Sequence, residues 1–168
     1  MTEKPAIKRF VASPHFSSRR GAKIDRIVLH YTTSRNVEGS LAWWQKTDIP
    51  DNYKVSAHYA IGRDGALYQA VKDADKAWHA ENANPSSIGI EFAAAPGDRM
   101  TPEQEATAVQ LIRWLVETYK IPWPHINGHR FSPGAVSPTD CPSHLFGEAT
   151  EAAVLEWVNT KAKLQEAV

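Results

Sequence analysis

Apolar residues along this chain bunch or alternate in ways that separate strands from helices. In residues 24–31, Ile27, Val28 and Leu29 run together as in a buried strand, and His30 closes the run. Residues 38–47 put Leu41, Trp43 and Trp44 on the apolar side of an expected helix, after a turn in residues 36–40. Ile49-Pro50-Asp51-Asn52 is a breaker cluster. Extended runs at 55–61 and 66–71 flank Asp64-Gly65, a hairpin signal. Trp78 and His79 fall in a loop, and residues 88–92 form a short buried strand entered through Asn84-Pro85-Ser86-Ser87. Residues 102–119 make the strongest helix. Thr101 caps it, Pro102 sits at its first position, Gln104 completes a capping box, and Ala108, Leu111, Ile112, Leu115 and Tyr119 form its stripe. Pro122 and Pro124 end that region, and His125 and Ile126 begin a brief strand. A polar loop over 127–147 leads to a last helix over 148–163 with Val154, Leu155 and Val158 inward. Residues 1–22 show little periodicity and read as a basic leader, with 17–23 as solvated loop. The order predicts a single α/β domain over 23–165, a mixed central sheet flanked by helices.

Composition narrows the class. The 168 residues suit one domain. Lys plus Arg is 19 and Asp plus Glu is 19, so the surplus of cations expected of a nucleic-acid binder is missing and no nucleic-acid partner is expected. The lone Cys141 excludes an internal disulfide. No apolar run has the length of a signal peptide or a membrane span. The expectation is a monomer made in the cytoplasm. No glycine-rich phosphate loop follows any strand, since residues 62–65 lack the required spacing.

Three residue types then suggest chemistry. His30 ends a buried strand, His129 follows a glycine, and Cys141 precedes Pro142. Imidazole and thiolate suit a borderline-soft ion such as Zn²⁺, and three such ligands leave a position open for catalysis. The alternative is that His30 is a hydrogen-bonded core histidine and Cys141 a small buried hydrophobe. Glu91 lies among apolar neighbours in Ser87-Ile88-Gly89-Ile90-Glu91-Phe92. Alternation places Gly89, Glu91 and Ala93 on one face, as in the floor of a cleft, unless the strand is an edge with Glu91 in solvent. A rival chemistry makes Cys141 a nucleophile with His129, His144 or His125 as base.

Taken in order, several segments resemble the zinc-dependent N-acetylmuramoyl-L-alanine amidases, the family shared by phage endolysins, muropeptide amidases and peptidoglycan recognition proteins. They are Ile27-Val28-Leu29-His30-Tyr31-Thr32, Ser56-Ala57-His58-Tyr59-Ala60-Ile61, Arg63-Asp64-Gly65, Ala77-Trp78-His79-Ala80, Ser87-Ile88-Gly89-Ile90-Glu91, Gly128-His129-Arg130 and Pro138-Thr139-Asp140-Cys141-Pro142. The resemblance covers residues 24–146. It implies one zinc ion per chain in a surface cleft, held by His30, His129 and Cys141, with Asp140 as the fallback third ligand. It implies Glu91 as general acid and base and Thr139 as oxyanion donor. Trp78, His79 and His58 become candidate substrate contacts, with core packing the competing role for His58. Asn84 joins the substrate-side residues in a loop-ordering role.

The chain departs from the family pattern in places. Ala57 stands where some members carry a tyrosine, and Thr139 where some carry a lysine. Ser143 replaces a frequent glycine, and the loop over 130–140 is a little long. The implied reaction cuts the bond between N-acetylmuramic acid and L-alanine in peptidoglycan or muropeptides. Cys141 with Thr139 points to a lytic enzyme that reaches the wall through a holin. The alternatives are a cytosolic recycling amidase and a binding module that has lost catalysis. The leader's cations (Lys4, Lys8, Arg9, Arg19, Arg20, Lys23) would touch the anionic wall or lie free in solvent.

Overall fold

The computed structural model describes residues 1–163. Its strands are β1 (Ile7–Phe10), β2 (Phe16–Ser18), β3 (Arg26–Tyr31), β4 (Tyr59–Ile61), β5 (Leu67–Gln69), β6 (Asp75–Ala77), β7 (Ser87–Phe92) and β8 (Ile126–Gly128). Its α-helices are α1 (Val37–Trp43), α2 (Pro102–Tyr119) and α3 (Glu151–Trp157). Six strands form one sheet in the order β1-β5-β4-β7-β3-β8, while β2 and β6 form a separate antiparallel pair. Within the large sheet β4 and β5 run antiparallel and the other neighbours parallel, so the expected mixed α/β sheet is present.

Alternation along the central strands divides the two faces. Ile27, Leu29 and Tyr31 of β3, with Ile88, Ile90 and Phe92 of β7, pack against Ala108, Leu111, Ile112 and Leu115 of α2 and Val154 and Trp157 of α3. Each large apolar side chain buried there contributes roughly 1.5–3 kcal/mol. The opposite face carries α1, where Leu41 and Trp44 meet Ala57, Ala60, Tyr68 and Ala70. The same face of β3 and β7 presents His30 and Glu91, paired directly across the ladder.

Helix α2 starts as the sequence predicts. Thr101 accepts from the Gln104 backbone and Gln104 Oε1 accepts from the Thr101 backbone. Gln104 is also fully buried, and its Nε2 donates to Ile61 O and Ala93 O at 3.1 and 2.9 Å. The capping residue therefore ties the helix to two strands. The hairpin also forms, with Ile61 opposite Leu67 and Gly65 at φ +83°.

Other elements differ from expectation. The helix expected over 38–47 is α1 alone. Asn36 is its N-cap, accepting from Gly39 N, so residues 36–40 begin the helix instead of preceding it. Trp44 caps the other end and is buried, whereas Trp43 is 40 % exposed. The strand expected from 55 becomes regular at Tyr59, because Ser56 bonds to the Trp78 and His15 backbones instead. The last helix starts at Glu151, where Thr150 caps it, and widens into a π turn over Val158–Lys163. The expected domain end at 165 lies outside the described residues.

The largest correction concerns residues 1–22. They are not a detached leader. β1 pairs with β5, and β2 pairs with β6. Arg19, expected in solvent, is 7 % exposed and donates to the carbonyls of Asp73, Pro85 and Ser87 at 2.9–3.0 Å. Lys4 lies over the Trp114 ring at 4.5 Å. Arg19→Met leaves three carbonyls without their donor, each costing about 1–3 kcal/mol. The expected result in urea unfolding is a loss of about 3 kcal/mol or more for Arg19→Met. Exposed Arg20→Met should stay within about 0.5 kcal/mol of the parent.

Candidate functional site

The site stands at the carboxyl ends of three adjacent parallel strands. β3 ends in His30 and Tyr31, β7 carries Glu91 opposite His30, and β8 runs straight into His129. Crevices at such strand ends are where open α/β sheets place their ligands. His129 begins a 3-10 turn over His129–Phe131, which Ser132 Oγ closes on Gly128 O. Gly128 is required by close approach, since a Cβ there would stand 2.8 Å from Pro142 Cδ. That contact brings the 138–142 loop against β8.

Cys141 is fixed on several sides. Its carbonyl accepts from Arg130 N at 2.8 Å, its N–H donates to Thr139 Oγ1 at 3.1 Å, and its Sγ receives Tyr31 N–H at 3.4 Å. The Tyr31 hydroxyl reaches both carboxylate oxygens of Asp140 at 3.0 and 3.1 Å. Asp140 is thereby engaged beside the site, and Cys141 is the residue that points inward. Donor atoms of His30, His129 and Cys141 all lie within 4.8 Å of one another. His30 Nδ1 is 3.6 Å from Cys141 Sγ and 3.9 Å from Glu91 Oε1.

Electrostatics fit a cation at this point. Burial pulls the pKa values of His30 and His129 down, leaving neutral rings with lone pairs to donate. Burial raises the Cys141 thiol and pushes Glu91 up to about 8. Glu91 Oε2 has no hydrogen-bond partner among the described residues. A buried carboxyl without a partner is costly, and so is a buried thiolate. One positive ion among these groups would compensate both. The donor set of two imidazoles and a thiol suits a borderline-soft metal. Of the candidate bases for a Cys141 nucleophile, His144 is exposed and His125 bonds to Asp25 O, while His129 does stand beside the thiol. What weighs against that pair is burial, which raises the Cys141 pKa, opposite to an activated thiol.

A concavity of about 220 Å³ is lined by this cluster together with Tyr31, Trp44, Trp78, His79 and Thr139. Thr139 Oγ1 accepts from Cys141 N–H, so its hydroxyl proton is left to donate. Trp78 is held by Ser17 Oγ at its indole nitrogen and stacks on His15 at 5.7 Å. Asn84 Oδ1 accepts from His79 N and Ala80 N at 3.1 and 2.7 Å, which fixes the backbone of that turn. His79 Nδ1 lies 2.9 Å from His30 Nε2 and its Nε2 lies 3.1 Å from Ser87 Oγ. Sequence reasoning gave no role to Tyr31, Ser87, Ser56, Ser17 or His15. For Ser87 the signal was available, because it shares a strand face with Gly89 and Glu91.

His58 does not meet the expectation of a substrate contact. It is fully buried just before β4, its backbone bonded to Gly89 of β7 on one side and to Ala70 on the other. Its Nδ1 accepts from Gly89 N at 3.1 Å, so Nε2 carries the proton and donates to Asp75 O at 2.8 Å. A second ring proton would face the Gly89 N–H.

Two imidazoles, a thiol and a lone carboxyl gathered at the ends of parallel strands define a hydrolase-like α/β protein with a metal-competent centre. The family model for N-acetylmuramoyl-L-alanine amidase matches residues 20–144, and the chain belongs to that family, whose members hydrolyse amide bonds of peptidoglycan. N-acetylmuramoyl-L-alanine amidase A of Achromobacter lyticus is 38 % identical over 72 residues, covering 42 % of this chain and 38 % of that protein. The 1,6-anhydro-N-acetylmuramyl-L-alanine amidase AmpD of Haemophilus influenzae is 29 % identical over 144 residues, covering 72 % of this chain and 78 % of that protein. The endolysin amidase LysCS of Clostridium intestinale shares the fold, with a TM-score of 0.61 at 19 % identity over 85 % of this chain and 90 % of that one. No helix among the described residues is long and apolar enough to cross a membrane.

Burial lowers the His58 pKa to about 4 from its ordinary 6.5. The folded ring refuses a proton that the unfolded ring accepts. Stability is therefore full at neutral pH and falls as pH drops from about 6.5 toward 4, by about 3 kcal/mol for this group. In chelator-treated protein, the stability advantage over His58→Asn should shrink by about 3 kcal/mol between pH 7 and pH 4, measured by urea unfolding.

Proposed function

We propose that the chain hydrolyses the amide joining the lactyl group of N-acetylmuramic acid to L-alanine, using one zinc ion held by His30 Nδ1, His129 and Cys141 Sγ. The observation that carries this reading is the convergence of those three donors beside the unpartnered Glu91 carboxyl. Zinc bound there supplies Lewis acidity, lowering the pKa of water and polarising the carbonyl. Glu91 takes the proton of the attacking water at its carboxylate and later returns it to the leaving alanine nitrogen. The Thr139 hydroxyl donates to the oxygen that becomes negative. Trp78 walls the cleft, and the N-terminal strands hold it in place.

The concavity shares Tyr31, Thr33, Trp44, Val55 and Glu91 with a neighbouring groove of about 450 Å³ that also includes Trp43. On the other side Trp78, His79, His129 and Thr139 lead to a groove with Lys54, Asn84 and Ser137. Grooves that flank the site on both sides suit a bond inside a longer sugar–peptide polymer, which favours a lytic role and agrees with the name of the Clostridium relative. A recycling role is the second reading, supported by the AmpD relative that aligns with 72 % of this chain. The presence of all three donors argues against a binding module that lacks catalysis.

Digestion of intact sacculi and of anhydro-muropeptide, with and without chelator, tests these readings. Mass analysis should show peptides that begin with free L-alanine, and chelation should abolish their release. Activity that survives complete zinc removal would overturn the metal assignment. Preference for sacculi supports the lytic role, and preference for anhydro-muropeptide the recycling one. Glu91→Gln should retain zinc and lose about 10²–10⁴-fold in turnover, the usual contribution of general acid–base catalysis.

A further inference from the structure

Metal-ligating histidines commonly donate their second ring N–H to a carboxylate, a backbone carbonyl or water, which fixes ring orientation and tautomer. His30 has a different partner. Its Nδ1 is turned toward Cys141 Sγ and Glu91 Oε1, where the ion would be held, and a neutral ring that gives its Nδ1 lone pair to a metal carries its proton on Nε2. That nitrogen lies 2.9 Å from His79 Nδ1, which must accept. His79 then carries its own proton on Nε2, 3.1 Å from Ser87 Oγ. Donation thus runs from His30 to His79 to Ser87.

We propose that His79 is a positioning residue for the metal centre, holding His30 in the tautomer and orientation that aim Nδ1 at the ion. The inference rests on the zinc reading above. It assigns His79 a role through His30 in place of a contact with substrate.

A second observation points the same way. A Cβ at Gly89 would stand 2.8 Å from His79 Cγ and Nδ1, so the ring occupies the space that the missing side chain leaves. Ser87, Gly89 and Glu91 occupy alternate positions on one face of β7. The first anchors His79, the second makes room for it, and the third lies beside His30. The backbone of His79 is fixed as well, by Asn84 Oδ1. A ring held at its far nitrogen, its face and its backbone can impose direction on a neighbour.

The identity of the acceptor has a chemical consequence. A carboxylate in this place would add a negative charge beside a donor set that already includes a thiolate when metal is bound. A neutral imidazole fixes the same geometry and leaves the net charge of the centre one unit more positive. That favours polarisation of the substrate carbonyl.

The test uses full-length parent, His79→Phe, Ser87→Ala and Gly89→Ala, stripped of metal and folded by near-ultraviolet circular dichroism. Zinc affinity is measured by competition with a chromophoric chelator, and coordination by the absorption bands of the cobalt(II)-loaded proteins. His79→Phe should weaken zinc binding by about 10–100-fold and shift the cobalt bands. Gly89→Ala, which displaces the ring without removing it, should move both in the same direction. Should His79→Phe fail to fold, Gly89→Ala and Ser87→Ala carry the test with His79 intact. Zinc affinity and cobalt spectra equal to the parent in the folded variants would overturn the proposal, and a raised KM alone would mark His79 as a substrate contact instead. If the parent itself binds no zinc, the metal reading fails and this inference fails with it.

Discussion

Parallel pairing of β3 between β7 and β8 is the constraint on which the site depends. Its register sets His30 opposite Glu91 and Leu29 opposite Gly128, so His129 emerges one residue beyond the ladder. A slip of one residue between β3 and β7 would turn His30 or Glu91 into the apolar core, because side chains alternate across a strand. The apolar face guards against that shift. Ile27, Leu29, Ile88, Ile90 and Phe92 are all completely buried against α2 and α3. The hydrophobic effect on one face therefore determines where imidazole and carboxyl stand on the other.

The two faces serve opposite ends. The helix-covered face is filled by large side chains, and its capping residue Gln104 is sewn to strand carbonyls. The site face holds groups whose charged forms burial disfavours, among them His30, Glu91 and Cys141. Such groups are tolerable only where surrounding structure is rigid enough to hold them. Here rigidity comes from segments distant in sequence. The N-terminal strand β2 and His15 hold Trp78, Asn84 holds the His79 turn, and Tyr31 grips the loop that delivers Cys141.

How much of this was legible in the sequence depended on range. The capping box of α2 and the Asp-Gly hairpin were legible, because their determinants lie within a few residues of one another. The alternation in residues 87–92 correctly separated Glu91 from Ile90 and Phe92. The N-terminal strands were not legible. β1 and β2 contain four and three residues, too few to show a period, and their partners lie near residues 67 and 77. Their charged side chains suggested solvent, yet Arg19 is buried because the carbonyls of Asp73, Pro85 and Ser87 converge on it. For the donor cluster, residue types alone left Cys141 undecided. It meets His30 across 111 positions, a closeness that local patterns cannot encode and that only resemblance suggested.

The edge of the sheet gives the N-terminal charges another meaning. β1 is the outermost strand, and its free side would otherwise offer a ready template for a strand of another molecule. It carries Lys8 and Arg9 in its middle and ends in Phe10, which is 45 % exposed. Arg9 is paired with Glu38 of α1, and both cations lie over the Tyr68 ring of β5, so the edge is tied to its neighbours through its charges. At the other edge β8 is only three residues long. Residues that read as a leader in the sequence thus form the border of the sheet itself, and a change in their length or charge alters an edge of the domain that carries the site.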